Sequence, residues 1–346
     1  MAAPIGGMLA DLFPKKSLLI TIDLLRVPFA LSPLLVQGQE HLWIIYTGAF
    51  FLAAGDAFYS PVRMASIPAL VKQDRLLYVN AIEQIMVGAV LVVGSSTGGI
   101  ISYLFGLQAP FILDGISFMV SALFLIGLTI PSAEKSLKQS DPVESGPSTW
   151  KFIFGSAALL TFITIELTMP LANGVDNVLM SVYALEVFKM GDLGVGFIYG
   201  ALGLGFIISS FFSNLLKRKL VPLIVIFIAL EGLGHLILSS VPTFSHAIVA
   251  ALFITFVGGI SNICLSTLTM KIVPKSQQGH FFGLTEMISK TTMGISMGAA
   301  GFLLELFDPR TLSFWVGSTY VFFTIVYAIL FSRVDLIKEK KQLRRM

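Results

Sequence analysis

Charge is what this sequence has least of. Only 12% of its 346 residues are Asp, Glu, Lys or Arg, about half the share that a soluble domain carries, which excludes water as the solvent for most of its surface. Cysteine is nearly absent too: Cys264 stands alone, so no internal disulfide forms, and its place in an apolar run reads as packing. No H-E-x-x-H pair and no G-x-x-x-x-G-K-S/T phosphate loop occurs. ATP-driven pumping and intramembrane hydrolysis therefore have no support, and no enzyme, cofactor or metal site is expected. His41, His246 and His280 share no metal-ligand spacing. Period-two alternation is missing as well, which argues against barrel strands.

What fills the chain is apolar residue after apolar residue: 55% are hydrophobic and the mean hydropathy is +0.86. A helix that crosses a bilayer needs about 20 mostly apolar residues. Ten such runs predict an all-α polytopic membrane protein. They are Leu18 to Val36, Leu42 to Val62, Val79 to Ile101, Phe111 to Ile130, Phe152 to Asn173, Leu193 to Leu215, Val221 to Ser240, Ala247 to Met270, Phe281 to Glu305 and Leu312 to Phe331.

Basic residues test this map, because Lys and Arg in short loops are held on the cytoplasmic side during insertion. Alternate loops carry Lys15 and Lys16; Arg63, Lys72 and Arg75; Lys135, Lys138 and Lys151; Lys217, Arg218 and Lys219; Lys271 and Lys275. With the tail after Phe331, 19 of the 23 basic residues fall on one side, and only Lys189 and Arg310 on the other. The net charge of +3 thus follows topology, and no nucleic-acid partner is expected. Lipid is the surrounding partner, with both ends of the ten-span block on the cytoplasmic side.

Pro131 to Lys151 is rich in Pro, Ser and Lys and reads as a cytoplasmic linker. It divides the chain into a half-bundle over 1–130, the linker at 131–151, a six-helix half-bundle over 152–333 and a basic tail at 334–346. An offset of 203 residues lays Asp11 on Asn214, Gly55 on Gly258, Glu83 on Glu286 and Gly98 on Gly301. Repeats about a central linker are a recurring plan for transporters that bind substrate between halves and rock them.

Ionisable groups inside a span cost about 3 kcal/mol even on insertion scales, so each needs a reason. Glu166, Asn173 and Asp176 follow i, i+7 and i+10 spacing along one helical stripe, suited to a water-filled cavity. Asp176 and Asn177 equally fit an extracellular loop. Glu231 and His235, at i and i+4, fit a proton relay or a buried hydrogen bond. Asp23 and Arg26, at i and i+3, fit an ion pair that Asp56 joins, serving packing or a gate. Glu286 reaches Lys290 at i+4, whereas Glu83 has no such neighbour. Gly94 with Gly98, Gly196 with Gly200, and Gly294 with Gly298 have the four-residue spacing that lets helices approach closely in lipid.

The loop Gly7-Met8-Leu9-Ala10-Asp11-Leu12-Phe13-Pro14-Lys15-Lys16 resembles the G-x-x-x-D-R/K-x-G-R/K-R/K signature of the major facilitator superfamily, with Leu12 and Pro14 departing from it. Ser60-Pro61-Val62-Arg63, Ile67-Pro68-Ala69-Leu70-Val71, Asn80-Ala81, Asp23-Leu24-Leu25-Arg26 and Gly196-Phe197-Ile198-Tyr199-Gly200 are similar to the drug:proton antiporter-3 branch, which holds macrolide-efflux and enterobactin-exporter proteins. The resemblance implies proton-coupled efflux of a small amphiphilic molecule, a drug or a siderophore, across a bacterial inner membrane by alternating access. It implies gating roles for Asp11, Lys15, Lys16, Arg63, Glu83 and Glu286 beside Asp23, Arg26, Asp56 and Lys290. It places Gly94, Gly98, Gly196 and Gly200 on the fifth and eighth helices of a twelve-helix plan. On that plan the first helix and most of the second are missing, so a non-transporting remnant or assembly partner is the alternative.

Overall fold

In hydrocarbon each backbone amide must be satisfied within its own segment, which leaves the helix as the structure for long apolar runs. The computed structural model describes residues 14–94, 101–102, 104–128, 153–212, 219–274 and 277–343, and among these the regular structure is helical throughout. In chain order the helices are α1 Lys15–Leu31, α2 Leu42–Leu70, α3 Leu76–Ala89, α4 Ala109–Gly127, α5 Ala157–Val182, α6 Gly191–Phe211, α7 Leu220–Ser240, α8 Phe244–Ile272, α9 Gln278–Leu306, α10 Pro309–Ser332 and the short α11 Leu336–Leu343. Wide π-helical turns extend α3 over Val90–Gly94 and α5 over Tyr183–Val187.

Among the described residues nine helices are long and apolar enough to cross a membrane. Helix α9 is the tenth of spanning length, 29 residues, or ~43 Å at 1.5 Å per residue. Its apolar stretch is interrupted by Glu286, Lys290 and Glu305. The helix starts Lys15, Leu42, Leu76 and Ala109 recur at Leu220, Phe244, Gln278 and Pro309, close to the offset read from the sequence.

Contacts divide the chain into two compact units, one of Met1–Lys72, Thr97–Thr149 and Val273–Met287, the other of Gln73–Ser96, Trp150–Ile272 and Ile288–Met346. In the first, α1 packs on both α2 and α4 around Leu19, Val62 and Leu125. Lys15 Nζ donates to the Ala65 carbonyl at 2.9 Å and Lys16 Nζ to the Ile126 carbonyl at 2.8 Å. The Ile126 oxygen lies in the last turn of α4, where carbonyls lack a helical donor and the dipole favours a cation.

In the second unit α7 packs on α8 and α10, α6 on α8 and α3, and α5 on α10. Glycine sets the closest approaches. A Cβ at Gly88 would meet the Gly203 carbonyl at 2.3 Å, and one at Gly203 the Gly88 carbonyl at 2.6 Å. At Gly205 it would meet Thr255 Oγ1 at 2.1 Å and the Leu252 carbonyl at 2.5 Å. The glycines singled out by four-residue spacing lie elsewhere. Among the described residues a Cβ at Gly196, Gly200, Gly294 or Gly298 meets nothing within 4 Å, and one at Gly94 meets only Val90 of its own segment. Gly196, Gly200 and the covered Gly203 share one face of α6 at i, i+4 and i+7, so spacing marks a smooth stripe but not how far along it a neighbour sits. Gly98, like Asp11, lies outside the described residues.

Side chains cap the starts of α5 and α10. Ser156 Oγ accepts from the Leu159 amide at 3.3 Å and donates to Glu339 Oε2 of α11 at 2.5 Å, tying the tail to the start of α5. Asp308 accepts from the Arg310 and Thr311 amides at 2.9 and 3.1 Å and from the Thr311 hydroxyl. Those bonds, the Thr311 hydroxyl foremost, hold its carboxyl below the usual carboxylate range. We expect Asp308→Ala to cost about 1 kcal/mol at neutral pH. A depressed folded-state pKa stabilises above the unfolded value and is lost below it, so the gap between variant and parent should close as pH falls beneath about 4. Thermal melts of the purified proteins across pH check this.

Candidate functional site

Helix α5 does not stop at Asn173, where the hydropathy falls. It continues to Val182, so Asp176 and Asn177 stand on a helix and not in an outer loop. The polar residues that pull the average down face inward: Glu166, Asn173, Asp176 and Asn177 all line one cavity of about 320 Å³ inside the second unit. A hydropathy window averages over all faces of a helix, so a polar stripe on one face reads as an end.

The rest of the wall comes from five helical segments. The π-turn after α3 supplies Leu91, α6 supplies Tyr199 and Phe206, and α7 supplies Glu231. Helix α8 adds Thr255, Gly258, Ser261 and Asn262, and α9 adds Ser289 and Met293. Pro170, in the same wall, has no N–H, so the Glu166 carbonyl one turn earlier loses its usual helical donor. Gly258 makes room for Glu231: a Cβ there would meet its Oε1 at 2.9 Å.

Behind the wall the polar groups are tied together. His235, 1% exposed, holds Nδ1 3.2 Å from Asp176 Oδ1, within ion-pairing distance but off hydrogen-bond alignment. Its ring stacks on Tyr320 with centroids 5.1 Å apart. The Tyr320 hydroxyl donates to Asn173 Oδ1 and interacts with the Glu231 carboxylate. Two turns of α10 further on, Tyr327 meets Thr168; Thr168 gives its proton to the Thr164 carbonyl, so Tyr327 is the donor. The cluster thus brings together Asn173, Asp176, Glu231 and His235, with Glu166 in the same cavity. His235 turns to Asp176 on α5 and to the Tyr320 ring, a partnership that i, i+4 counting on one helix does not reveal.

Tyr320 and Tyr327 were not singled out from the sequence. Their signal was present: two tyrosines seven residues apart in an apolar run present two hydroxyls to one face, and a buried hydroxyl needs a partner.

The gating candidates lie in other surroundings. In the first unit Arg26 Nη2 is 3.5 Å from Asp56 Oδ1, and its guanidinium lies over the Tyr59 and Phe118 rings at 5.1 and 5.4 Å. Gly55 leaves it space, since a Cβ would come within 2.6 Å of Arg26 Nε. Asp23 instead accepts from Ser121 at 2.6 Å. Arg63 stands half-buried on α2, Glu83 half-buried on α3, Glu286 half-buried on α9, and Lys290 exposed one turn after it.

Long apolar helices around a cavity that carries three carboxylates make this a multi-pass membrane protein of the transporter class. The family model described as Major Facilitator Superfamily matches residues 1–296, and the chain belongs to that superfamily. It is 24% identical over 318 residues to the enterobactin exporter EntS of Salmonella choleraesuis (strain SC-B67), covering 86% of this chain and 71% of that one. Its fold is similar to that of a bacterial homologue of the iron transporter ferroportin in the outward-facing state, with a TM-score of 0.70, 16% identity, and coverage of 96% and 87%. It is similar also to the E. coli fucose:proton symporter FucP, with a TM-score of 0.74, 11% identity, and coverage of 95% and 87%. The chain is a membrane transporter of a family that carries small molecules.

Proposed function

We propose that this protein exports small amphiphilic molecules, drugs or siderophores, from the bacterial cytoplasm in exchange for protons. Alternating access between the halves 1–130 and 152–333 moves the cargo, with the linker 131–151 and the tail 334–346 on the cytoplasmic side of the inner membrane. The observation that carries the reading is the cavity cluster, in which Asp176, Glu231, His235, Asn173 and Glu166 converge among apolar helices. Carboxylates and an imidazole are the groups that take up and release protons, and in hydrocarbon they are retained at a cost that a function must justify. A carboxylate that binds either a proton or the cargo, but not both, couples the two flows. The names of the relatives, an enterobactin exporter and a proton symporter, agree with export and with proton coupling respectively. The Arg26–Asp56 pair, Asp23 and the two lysines that start α1 are the gating elements of the first unit. Asp11, Arg63, Glu83, Glu286 and Lys290 complete the gating set.

Purified protein in liposomes tests the proposal. An imposed pH gradient should drive accumulation of a fluorescent amphiphilic drug, and a protonophore should abolish it. Flux of equal size with and without the gradient would end the proton-coupled reading. Orientation is tested by accessibility: in a Cys264→Ser background, Lys217→Cys and Arg344→Cys should both react only with a reagent admitted to the cytoplasm.

A further inference from the structure

The cavity's charge has one sign. Its ionisable lining is Glu166, Asp176 and Glu231, and neither a Lys nor an Arg contributes to the wall among the described residues. Its uncharged polar lining is Asn173, Asn177, Thr255, Ser261, Asn262 and Ser289, whose amide and hydroxyl oxygens accept hydrogen bonds. Around these groups the wall is apolar and soft, with Met169, Met180, Met293 and the aromatic Tyr199 and Phe206. Methionine adapts to irregular apolar shapes, and aromatic faces attract cations.

Behind the wall the buried polar atoms are under-satisfied. Asp176 Oδ1 and both ring nitrogens of His235 lack a hydrogen-bond partner. One imidazole stands behind the three carboxylates of the lining, and no guanidinium or ammonium faces the cavity to receive an anion. An inorganic cation is disfavoured by the lining itself: among the described residues no three His, Cys, Asp or Glu side chains come together as a metal site.

We infer that this cavity selects organic cations with an apolar body, the charge set against Asp176 and Glu231 and the body against the methionine and aromatic wall. The inference rests on the exporter reading and narrows it, from amphiphiles at large to cationic ones, against anionic cargo. A low-dielectric site amplifies the sign of its fixed charges, so an anion of the same shape is rejected. Selection between such partners is a difference of affinities that an unpaired like charge enforces.

Tetraphenylphosphonium and tetraphenylborate isolate the claim, since they share shape and apolar surface and differ in sign. Equilibrium binding to the detergent-purified full chain should favour the phosphonium by roughly tenfold or more, equivalent to 1.4 kcal/mol or more. Asp176→Asn and Glu231→Gln should each weaken phosphonium binding by about tenfold, while the surface substitution Glu305→Gln leaves it unchanged. Monodisperse elution of each variant guards against misfolding, and the comparison of the two ions on the parent protein needs no variant. Equal or tighter borate binding, or phosphonium binding indifferent to both substitutions, overturns the inference. The two readings fail separately. Gradient-driven export of an anionic or neutral compound with no phosphonium binding sinks charge selection alone. Carboxylate-dependent phosphonium binding with no gradient-driven flux of any compound sinks the exporter reading alone.

Discussion

Glu231→Gln should reduce gradient-driven transport about 100-fold, to the level of empty liposomes, while the protein is made and inserted in normal amounts. The substitution keeps the side chain's volume in the space that Gly258 leaves for it, so packing on α8 is preserved. What it removes is the acid: an amide cannot take up and release a proton. A positioned acid or base contributes roughly 100-fold or more to a proton transfer, which sets the size of the expected loss. Glu166→Gln should act in the same direction, impairing efflux at unchanged membrane abundance. Flux assays with matched protein amounts measure both. Wild-type rates in either variant would remove that residue from the proton pathway.

The second large effect is structural. Gly205→Val should prevent recovery of folded protein, because even the Cβ would sit 2.1 Å from Thr255 Oγ1 and 2.5 Å from a backbone carbonyl. The hydroxyl can rotate away, but the carbonyl of Leu252 belongs to α8 and moves only with the helix. Overpacking of this kind costs ~3 kcal/mol or more, and in a helix pair it propagates along the whole seam. Gly196→Val, two turns earlier on the same helix, meets open space and should leave the melting temperature of the purified protein within experimental scatter. Fluorescence-detected size exclusion separates the two outcomes. Comparable yield from both would mean that α6 and α8 are not seated against each other at Gly205.

These two residues also show how far the sequence can be read. Helix number and type were legible because hydrocarbon imposes one pattern, the long apolar run, that composition alone displays. The superfamily was legible from the Asp11 to Lys16 loop and the segments around Arg63 and Asn80. Helix contacts were not. Gly196, Gly200 and Gly203 share one face of α6 at i, i+4 and i+7 spacing, and only the neighbour at 2.6 Å tells that Gly203 is the covered one. The same limit governs the site. Glu166, Asn173 and Asp176 were legible as a stripe because they share one helix. His235 facing Asp176 was not, because that partnership joins α7 to α5. Tyr320 escaped because a tyrosine in an apolar run is read first as bulk and only second as a hydroxyl.

At Gly88 and Gly203 main chain lies on main chain. Where large side chains interlock, shifting one helix along another requires each of them to leave its rotamer well and find another. Here no side chain is interposed at the point of contact, and Ile207, Val92 and Leu91 flank it. Sliding of one helix along the other would therefore be resisted there by three aliphatic side chains and not by an interlocked layer.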